Sequence, residues 1–471
     1  MGTRKDAKEA LMTTSSTSYR ELTDDNGRVY RIGESPRDLM GRSRSWMVWL
    51  PWIAMIAVSV YEYGWGAVVK TLQQKNGWTL TEVFWLATVW AVFQAAIAFP
   101  AGRLRERNVV SARSAMLLGA ALSGVGYFTI AFSGNLGLAF LGYSVCGGIG
   151  AGLVYATCIN MVGKWYPEKR GARTGFVNGG FAYGAVPFIY IFSAVLTPAS
   201  TTLILSLIGV YMLIVVVFCG LMFRDPPKNW WPEHIDPKEW SRNTKTNKSL
   251  AKNPPAVRQF TPGEAIRSGM LPLMWVSLVI IGGVSLFGIN FQVQFATASH
   301  FGPFVAASSA GVLSIVNGTG RALVGWLSDH IGRRQTLTLV LVIAGIAQFG
   351  LVYSGNTENI ALFMVFAFLV GFGGGAFYPL FAALVPDYFG ENYNATNYGL
   401  VYSAKLVGGV GGGGLGAMVV SSWGYTGAYV LAGCIALVAA GLTLFLHQPG
   451  HPKSKTTVSA AASGFGAPTT A

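Results

Sequence analysis

The sequence predicts an all-α membrane protein with twelve transmembrane helices in two parallel halves of six. Three observations predict this fold: an apolar composition, twelve apolar windows of spanning length, and an internal repeat. Of the 471 residues, 52% are hydrophobic and only 11% are charged, and the mean hydropathy is +0.45. Soluble proteins carry roughly 25% charged residues, so this composition is typical of a protein that resides in a bilayer.

A helix needs about 20 apolar residues to cross the hydrocarbon layer. Windows of that length give twelve expected spans, numbered here in chain order. They are Trp46–Val69, Glu82–Ala101, Ala112–Phe132, Leu136–Val162, Thr174–Leu196, Thr202–Phe223, Leu271–Phe295, Phe304–Trp326, Thr336–Tyr353, Ile360–Val385, Ala395–Val420 and Thr426–Leu446.

The remaining segments predict the domain organisation. We expect two six-helix bundles, at residues 46–223 and 271–447, joined by a cytoplasmic linker at residues 224–270. The polar tails at residues 1–45 and 448–471 are expected to be disordered, because they hold too little apolar surface to bury.

The net charge of +14 is unevenly distributed. Basic residues collect in the loops after spans 2, 4, 6 and 8, whereas the opposite connections hold little beyond Lys70 and Lys75. The positive-inside rule then predicts a multi-pass cell-membrane protein with both termini in the cytoplasm. We expect the lipid bilayer as its surroundings, no nucleic acid as a partner, and a monomer.

The two halves repeat each other at an offset of 223 or 224 residues. Tyr63-Gly64-Trp65-Gly66 corresponds to Phe287-Gly288-Ile289-Asn290, and Gly148–Gly152 corresponds to Gly371–Gly375. Two further matches, in the loops after spans 2 and 8 and after spans 4 and 10, follow in the same order. Duplicated six-helix halves are typical of transporters in which two bundles rock about a central site.

Two cations lie inside the apolar windows: Arg321 in span 8 and Lys405 in span 11. A charged side chain at bilayer depth costs at least ~2.5–3.5 kcal/mol on insertion scales, so it usually faces a partner or an aqueous pathway. Neither has an acid nearby in its own span, which indicates an anion that binds and leaves. Two alternatives remain: snorkelling to the membrane surface, and permanent pairing of both cations with Glu62, the only acid well inside a span.

The segment Gly325-Trp326-Leu327-Ser328-Asp329-His330-Ile331-Gly332-Arg333-Arg334 resembles the cytoplasmic loop signature of the major facilitator superfamily. The resemblance implies the major facilitator fold and a latch made by Gly325, Asp329, Gly332, Arg333 and Arg334, which are then not substrate ligands. The alternative is a charged loop that only sets topology. The first-half copy, Gly102–Asn108, is degraded and lacks the second glycine.

A closer resemblance lies in span 4 and the loop after it. Gly152-Leu153-Val154-Tyr155-Ala156-Thr157 and Lys164-Trp165-Tyr166-Pro167-Glu168 are similar to oxalate/formate antiporters. The same regions, together with Glu62-Tyr63-Gly64-Trp65-Gly66, resemble monocarboxylate transporters. The resemblance implies that Arg321 and Lys405 hold substrate carboxylates, as an eighth-span Arg and an eleventh-span Lys do in those antiporters. A guanidinium also suits bidentate carboxylate binding, and an ammonium acts as a compact point charge.

Further side chains complete the expected substrate site. Asn317 lies four residues before Arg321 on the same helix face, where monocarboxylate transporters often have an Asp. Tyr63, Tyr155, Tyr378 and Tyr402 are expected to wall the pocket, although ordinary helix packing remains open for each. Other polar groups in the spans are interpreted as interhelical contacts and not as ligands; they are Gln94, Asn160, Asn178, Asn290, Gln292 and Gln294.

Glu62 is the expected coupling residue. We interpret it as a counterion that is ionised when the site is empty and protonated or displaced when an anion is bound. The predicted function is secondary active transport of small organic carboxylates by alternating access, as oxalate/formate-type exchange. The alternatives are proton-coupled monocarboxylate symport, with a proton as a further partner, and a carboxylate sensor that does not transport. An enzyme, a cofactor and a metal are not expected, because the five histidines lie in loops or at span ends without metal spacing.

Overall fold

The computed structural model describes residues 19–23, 29–242 and 251–450. Six helical spans make up the first half of the molecule. Span 1 comprises Trp46–Val58, Val60–Tyr63 and Trp65–Asn76; span 2, Leu80–Ala96 and Ala98–Glu106; span 3, Ala112–Phe132; span 4, Leu136–Ala139, the π-helix Phe140–Gly147 and Gly148–Trp165; span 5, Arg170–Tyr183 and Val186–Val195; span 6, Thr201–Met222.

Spans 7 to 12 make up the second half. Span 7 is Met270–Ala298; span 8, Pro303–Ile331; span 9, Arg333–Asn356; span 10, Ile360–Phe389; span 11, Asn394–Tyr402, Ala404–Val410 and the π-helix Gly411–Leu415. The last helix, Gly416–Thr443, continues span 11 and becomes span 12 after a kink at Gly424, whose φ of +70° favours glycine.

Nine helices in the described part of the chain are long and apolar enough to cross a membrane, and one of them, Asn394–Thr443, contains both spans 11 and 12. The other two spans depart from a uniform apolar helix. Span 1 is broken into short pieces, of which Trp46–Val58 is apolar. Span 8 is 29 residues long but carries Asn317, Arg321 and Asp329, which lower its hydropathy. The fold is therefore the expected all-α membrane architecture of twelve spans in two halves.

The halves meet where span 5 crosses span 8 and where span 2 crosses span 11. A Cβ added at Gly175 would lie 2.9 Å from the backbone oxygen of Arg321, and one at Gly399 would lie 2.8 Å from Cα of Phe99. Only glycine permits these backbones to approach so closely. On the far side of the same interface, the rings of Phe84 and Phe291 stack at 5.1 Å. The halves therefore contact each other on both sides of the layer that holds Arg321 and Lys405.

The expected disorder of the first tail is wrong for residues 19–23 and 29–45, whereas residues 1–18 and 24–28 lie outside the described residues. Strands Arg20–Thr23 and Val29–Ile32 form an antiparallel hairpin. The Trp231 backbone N–H donates to the Arg31 oxygen at 2.9 Å, and the Tyr30 ring meets the Trp231 ring edge-on at 5.0 Å. The tail is ordered here because the loop after span 6 supplies the apolar surface that the tail lacks on its own.

The linker is anchored at both of its described ends. Its first part pairs with the hairpin, and its second part lies on the second half, where the Asn253 amide donates to the Ser328 oxygen at 3.0 Å. The Phe260 N–H likewise donates to the Phe389 oxygen at 2.8 Å. The rest of the predicted second tail, from residue 451 onward, lies outside the described residues.

The loop signature after span 8 ties three helices together. Arg333 pairs with Asp387 at the end of span 10 and with Asp329 at 3.1 Å. Gly332 has a φ of +102°, and Arg334 donates to the Leu446 oxygen at 3.1 Å. A Cβ at Gly325 would lie 3.3 Å from the Gly171 oxygen of the first half. Arg333 therefore joins the ends of spans 8 and 10 at the start of span 9.

The degraded first-half copy forms a comparable contact with different charges. Glu106 accepts a hydrogen bond from the Thr396 backbone N–H at 2.9 Å, at the start of span 11. Lys164 at the end of span 4 pairs with Asp225 at 2.9 Å, and Arg105 pairs with the same carboxylate at 2.7 Å. At the repeat offset of 223, Lys164 corresponds to Asp387, so the two halves carry opposite charges at this position.

We expect Asp225→Asn to lower the unfolding temperature at about pH 7 by the equivalent of about 1 kcal/mol, because the carboxylate is partly exposed. Burial raises the pKa of the Asp225 carboxyl, but the attraction of Arg105 and Lys164 outweighs this effect. The pKa of Asp225 therefore lies below its ordinary value of 3.8. A depressed pKa contributes stability that is present at neutral pH and is lost as the pH falls through the folded-state value.

Thermal unfolding of purified protein across a pH series measures this contribution. The difference between wild type and Asp225→Asn should shrink below about pH 4, where the unfolded carboxyl takes up its proton. Glu233→Gln, at an exposed carboxylate of the same loop, is the matched control and should show no such difference. A pH-independent difference for Asp225→Asn would contradict the assignment.

Candidate functional site

Local distortions of two helices lie next to the charged side chains in the middle of the bundle. Span 1 breaks at Ser59 and Gly64, on either side of Glu62. Span 11 breaks at Ser403, two residues before Lys405. The backbone of all three residues keeps helical dihedral angles, so the spans are locally distorted and not unwound at this depth.

Arg321 is 2% exposed and is held by neutral oxygen acceptors. Its Nη1 donates to the Asn178 backbone oxygen at 2.9 Å and also contacts the Asn178 side-chain oxygen. Its Nη2 donates to the Tyr63 hydroxyl at 2.9 Å and to the Asn317 side-chain oxygen at 2.7 Å. Its Nε has no hydrogen-bond partner. Snorkelling to the membrane surface is therefore wrong for Arg321.

Lys405 is also 2% exposed and has a carboxylate partner. Its Nζ donates to both oxygens of Glu62, at 2.8 and 2.9 Å, and to the Gln94 side-chain oxygen at 2.7 Å. These contacts use the three donors of the ammonium. Lys405 does not snorkel either, and Glu62 pairs with Lys405 alone, not with both cations.

The hydrogen bonds of the site join the two halves. The cations Arg321 and Lys405 come from the second half, whereas most of their acceptors come from the first half. These acceptors are Tyr63, Asn178, Glu62 and Gln94, and Asn317 is an acceptor from the second half. Opening the interface on either side must disrupt this set of bonds. With Glu62 ionised, the three charged side chains carry a net charge of +1, located at Arg321.

An aromatic layer surrounds the two cations. The Phe181 ring lies 5.2 Å from the Tyr155 ring and 6.0 Å from the Tyr63 ring, and Lys405 Nζ is 6.0 Å from its centroid. The Arg321 guanidinium lies 5.4 Å from the Tyr378 ring centroid. Contacts of cations with aromatic faces add attraction while excluding water from the site.

A cavity of about 1340 Å³ leads from the basic side, which carries the loops after spans 2, 4, 6 and 8, toward this layer. Tyr155 and Tyr402 line its inner part, whereas Arg321 and Lys405 do not line it. The two tyrosine rings, one from each half, stack at 5.2 Å, and the Tyr155 hydroxyl donates to Asn178, which holds Arg321. This stack therefore separates the cavity from the cations.

The structure brings most of the sequence-predicted site residues together. Asn317, Tyr63 and Tyr378 contact Arg321 directly. Tyr155 reaches Arg321 through Asn178, and Tyr402 stacks on Tyr155. The predicted helical-face contact between Asn317 and Arg321 is confirmed.

Sequence reasoning missed three residues of the site. Asn178 and Gln94 had been interpreted as interhelical contacts, and Phe181 had not been singled out. Both amides do join helices, but their acceptor oxygens are used by the buried cations. The sequence did contain a signal for Asn178 and Gln94. Each buried cation needs several hydrogen-bond acceptors, and only a few polar side chains in the spans can supply them.

Among residues 19–23, 29–242 and 251–450, no group of three His, Cys, Asp or Glu side chains lies close enough to hold a metal ion. The donor set described above suits a different ligand. Guanidinium and ammonium groups in a dry site bind anions, and the unpartnered Arg321 Nε together with Nη2 offers the two parallel donors that a carboxylate accepts.

Comparisons with known proteins identify relatives of this chain. The sequence profile of the Major Facilitator Superfamily matches residues 51–413 and again residues 357–469. The chain is 25% identical over 407 residues to the oxalate:formate antiporter of Oxalobacter formigenes, covering 86% of this chain and 91% of that protein. It is 24% identical over 353 residues to monocarboxylate transporter 12-B of Danio rerio, covering 72% and 73% of the two chains.

Solved structures show the same fold at low identity. The human organic anion transporter MFSD10 superposes with a TM-score of 0.60 at 13% identity, covering 85% of this chain and all of that chain. The proton:xylose symporter XylE superposes with a TM-score of 0.62 at 14% identity, covering 86% and 96%. These likenesses support the arrangement of the helices.

Proposed function

The chain belongs to the Major Facilitator Superfamily of transporters and is not an enzyme, and from this premise we propose that it exchanges small organic carboxylates across the cell membrane. Residues 46–223 and 271–447 are the two bundles that rock about the site in this proposal. The basic side and both termini face the cytoplasm, because basic loops are retained there. A monomer is sufficient, since one chain supplies every group of the site.

One observation carries the proposal: Arg321 is buried and positively charged, yet no carboxylate of the described residues forms an ion pair with it. Its acceptors are amides and a hydroxyl, which satisfy hydrogen bonds without neutralising the charge. A buried cation without a counterion is costly. An anionic ligand that takes the place of Tyr63 and Asn317 at the guanidinium would remove that cost.

The charge of the site determines how many negative charges it holds. A monocarboxylate at Arg321 makes the site neutral while Lys405 remains on Glu62. A dicarboxylate such as oxalate uses both cations, and Glu62 must then leave Lys405 or take up a proton. Both ligands match what the antiporter from Oxalobacter formigenes is named for.

The cavity on the basic side supports an anionic substrate. Six of its lining residues are basic and three are acidic. The basic ones are Arg42, Arg105, Arg113, Lys164, Arg224 and Lys228; the acidic ones are Glu106, Asp225 and Glu391. The excess of basic over acidic side chains should raise the local concentration of anions in the cavity.

Counterflow in proteoliposomes tests the proposed function. Vesicles loaded with unlabelled formate or oxalate should accumulate the same labelled anion when purified protein is present. A sensor that binds but does not transport would give binding without accumulation. Wild-type protein that accumulates neither these anions nor lactate in counterflow would overturn the proposal.

Proton-coupled monocarboxylate uptake is the second candidate, and the Glu62–Lys405 ion pair favours it. A proton on Glu62 would free Lys405 for the ligand, so that anion and proton would cross together. Formate influx should then acidify the lumen of vesicles whose membrane potential is clamped. Exchange without any pH change in the lumen would exclude this candidate and leave simple exchange.

A further inference from the structure

We infer that Glu62 is a built-in substitute for the substrate: it occupies Lys405 when no ligand is bound, and it thereby allows the empty transporter to return across the membrane. The protein would then perform net transport in addition to exchange. This inference rests on the proposed function, because it assigns the behaviour of the same site between two turnovers.

The Glu62–Lys405 ion pair satisfies the ammonium group when no ligand is bound. Glu62 offers both carboxylate oxygens to Lys405, at 2.8 and 2.9 Å, as a bound dicarboxylate would with one of its ends. Gln94 takes the remaining donor, so the ammonium is fully satisfied without a ligand. The side chains are only 3% and 8% exposed, so water contributes little to their solvation.

The Glu62–Lys405 ion pair joins the two halves of the protein. Glu62 belongs to span 1 of the first half, and Lys405 belongs to span 11 of the second half. The pair therefore closes the interface between the halves, which a transporter must do to pass from one open state to the other. Without Glu62, closure of the empty interface would bury two uncompensated cations, at a cost that opposes the return step.

Arg321 is surrounded by neutral hydrogen-bond acceptors. Asn178, Asn317 and Tyr63 satisfy the terminal nitrogens of the guanidinium in the absence of an anion. The empty closed interface thus holds one uncompensated charge, whereas the closed interface with a bound monocarboxylate is neutral. The empty transporter should return more slowly than the loaded one, but it should return.

The competing explanation is that the Glu62–Lys405 ion pair has a purely structural role. Such a pair would stabilise the closed state equally with and without ligand, so its loss would change exchange and net transport in the same proportion. A substitute anion acts only when no ligand is present. The ratio of net efflux to exchange therefore distinguishes the two explanations.

The experiment uses proteoliposomes loaded with labelled formate or labelled oxalate, with the membrane potential clamped. Exchange is measured with the same unlabelled anion outside, and net efflux is measured with no anion outside that the protein transports. Wild type should show formate exchange and a slower, measurable net efflux of formate. Glu62→Gln should lower the ratio of net efflux to exchange of oxalate, because the two charges of oxalate neutralise both free cations only while oxalate is bound. The net efflux of either anion by this variant should fall at least about tenfold, the change that a penalty of 1.4 kcal/mol produces.

Two further variants keep the test decisive. Glu62→Asp retains the carboxylate and should retain net efflux, and Glu233→Gln makes the same chemical change at an exposed loop position and should behave as wild type. The inference is overturned if wild type shows exchange without any net efflux, which requires no variant to fold. It is also overturned if Glu62→Gln keeps the wild-type ratio or loses both activities together. A wild type that exchanges no carboxylate would instead overturn the proposed function.

Discussion

Arg321→Gln should abolish carboxylate counterflow while leaving the protein in the membrane. The variant removes the only buried cation without a carboxylate partner in the described part of the chain, and with it the group to which the anion is expected to bind. Each charge-assisted hydrogen bond contributes about 1.5–3 kcal/mol, so losing a bidentate pair should weaken binding by roughly 10²- to 10⁴-fold. Labelled formate and oxalate uptake in proteoliposomes measures this loss directly.

Two controls separate loss of the ligand from loss of the fold. Arg321→Lys keeps the charge but not the planar fork of donors, so it should restore part of the activity and no more. Arg267→Gln changes an exposed arginine at the end of the linker and should leave transport intact. Arg321→Gln protein that elutes as wild type but transports at the wild-type rate would refute the role assigned to Arg321.

Lys405→Gln should strongly destabilise the protein. Removing one partner of a buried ion pair leaves Glu62 charged and unpaired, which costs about 3–5 kcal/mol. The apparent unfolding temperature of purified protein should therefore fall clearly below that of wild type, even without any substrate.

The double variant Glu62→Gln/Lys405→Gln is the matched partner of this experiment. It removes both charges, so its stability should return to near the wild-type value, because an uncharged pair leaves no ion unpaired. It should exchange formate through Arg321 but not oxalate, whose second carboxylate has lost its cation. A double variant as unstable as Lys405→Gln alone would show that the ion pair is not what stabilises the interface.

The two cations were the part of the site that the sequence could predict. Arg321 and Lys405 interrupt apolar windows. Because a charge at bilayer depth is costly, such a residue indicates a functional site whatever residues surround it. Their burial and their central position follow from this cost. The fold was predictable for a similar reason, since twelve apolar windows and a repeat leave few alternatives.

The partners of the cations were less predictable. Gln94 and Asn178 lie 311 and 143 residues away from the cations that they bind, and an amide in a span joins helices in many proteins without binding anything else. Which acid or amide faces which cation depends on the rotation of each helix about its axis. That rotation is set by close packing at residues such as Gly175 and Gly399 and is not written in the local sequence.

The hairpin at the basic side was missed for a different reason. Its strands have four residues each, and such short strands are stable only against a partner surface. The partner is supplied by Trp230 and Trp231, which lie about two hundred residues further along the chain. Composition alone therefore indicated disorder in a segment that is ordered by tertiary contact.

Lys164 and Asp387 occupy corresponding positions of the two halves but carry opposite charges, and this difference shows how the duplicated halves diverged. Lys164 faces Asp225 in the first half, whereas the corresponding Asp387 faces Arg333 in the second. The partners do not correspond, because at the offset of 223 Asp225 matches Gln448 and Arg333 matches Val110. A reversal of charge at Lys164 alone, or at Asp387 alone, would therefore place it beside a like charge in its own half. In related chains we expect a change of charge at Lys164 to accompany a change at Asp225, and a change at Asp387 to accompany a change at Arg333, independently in the two halves.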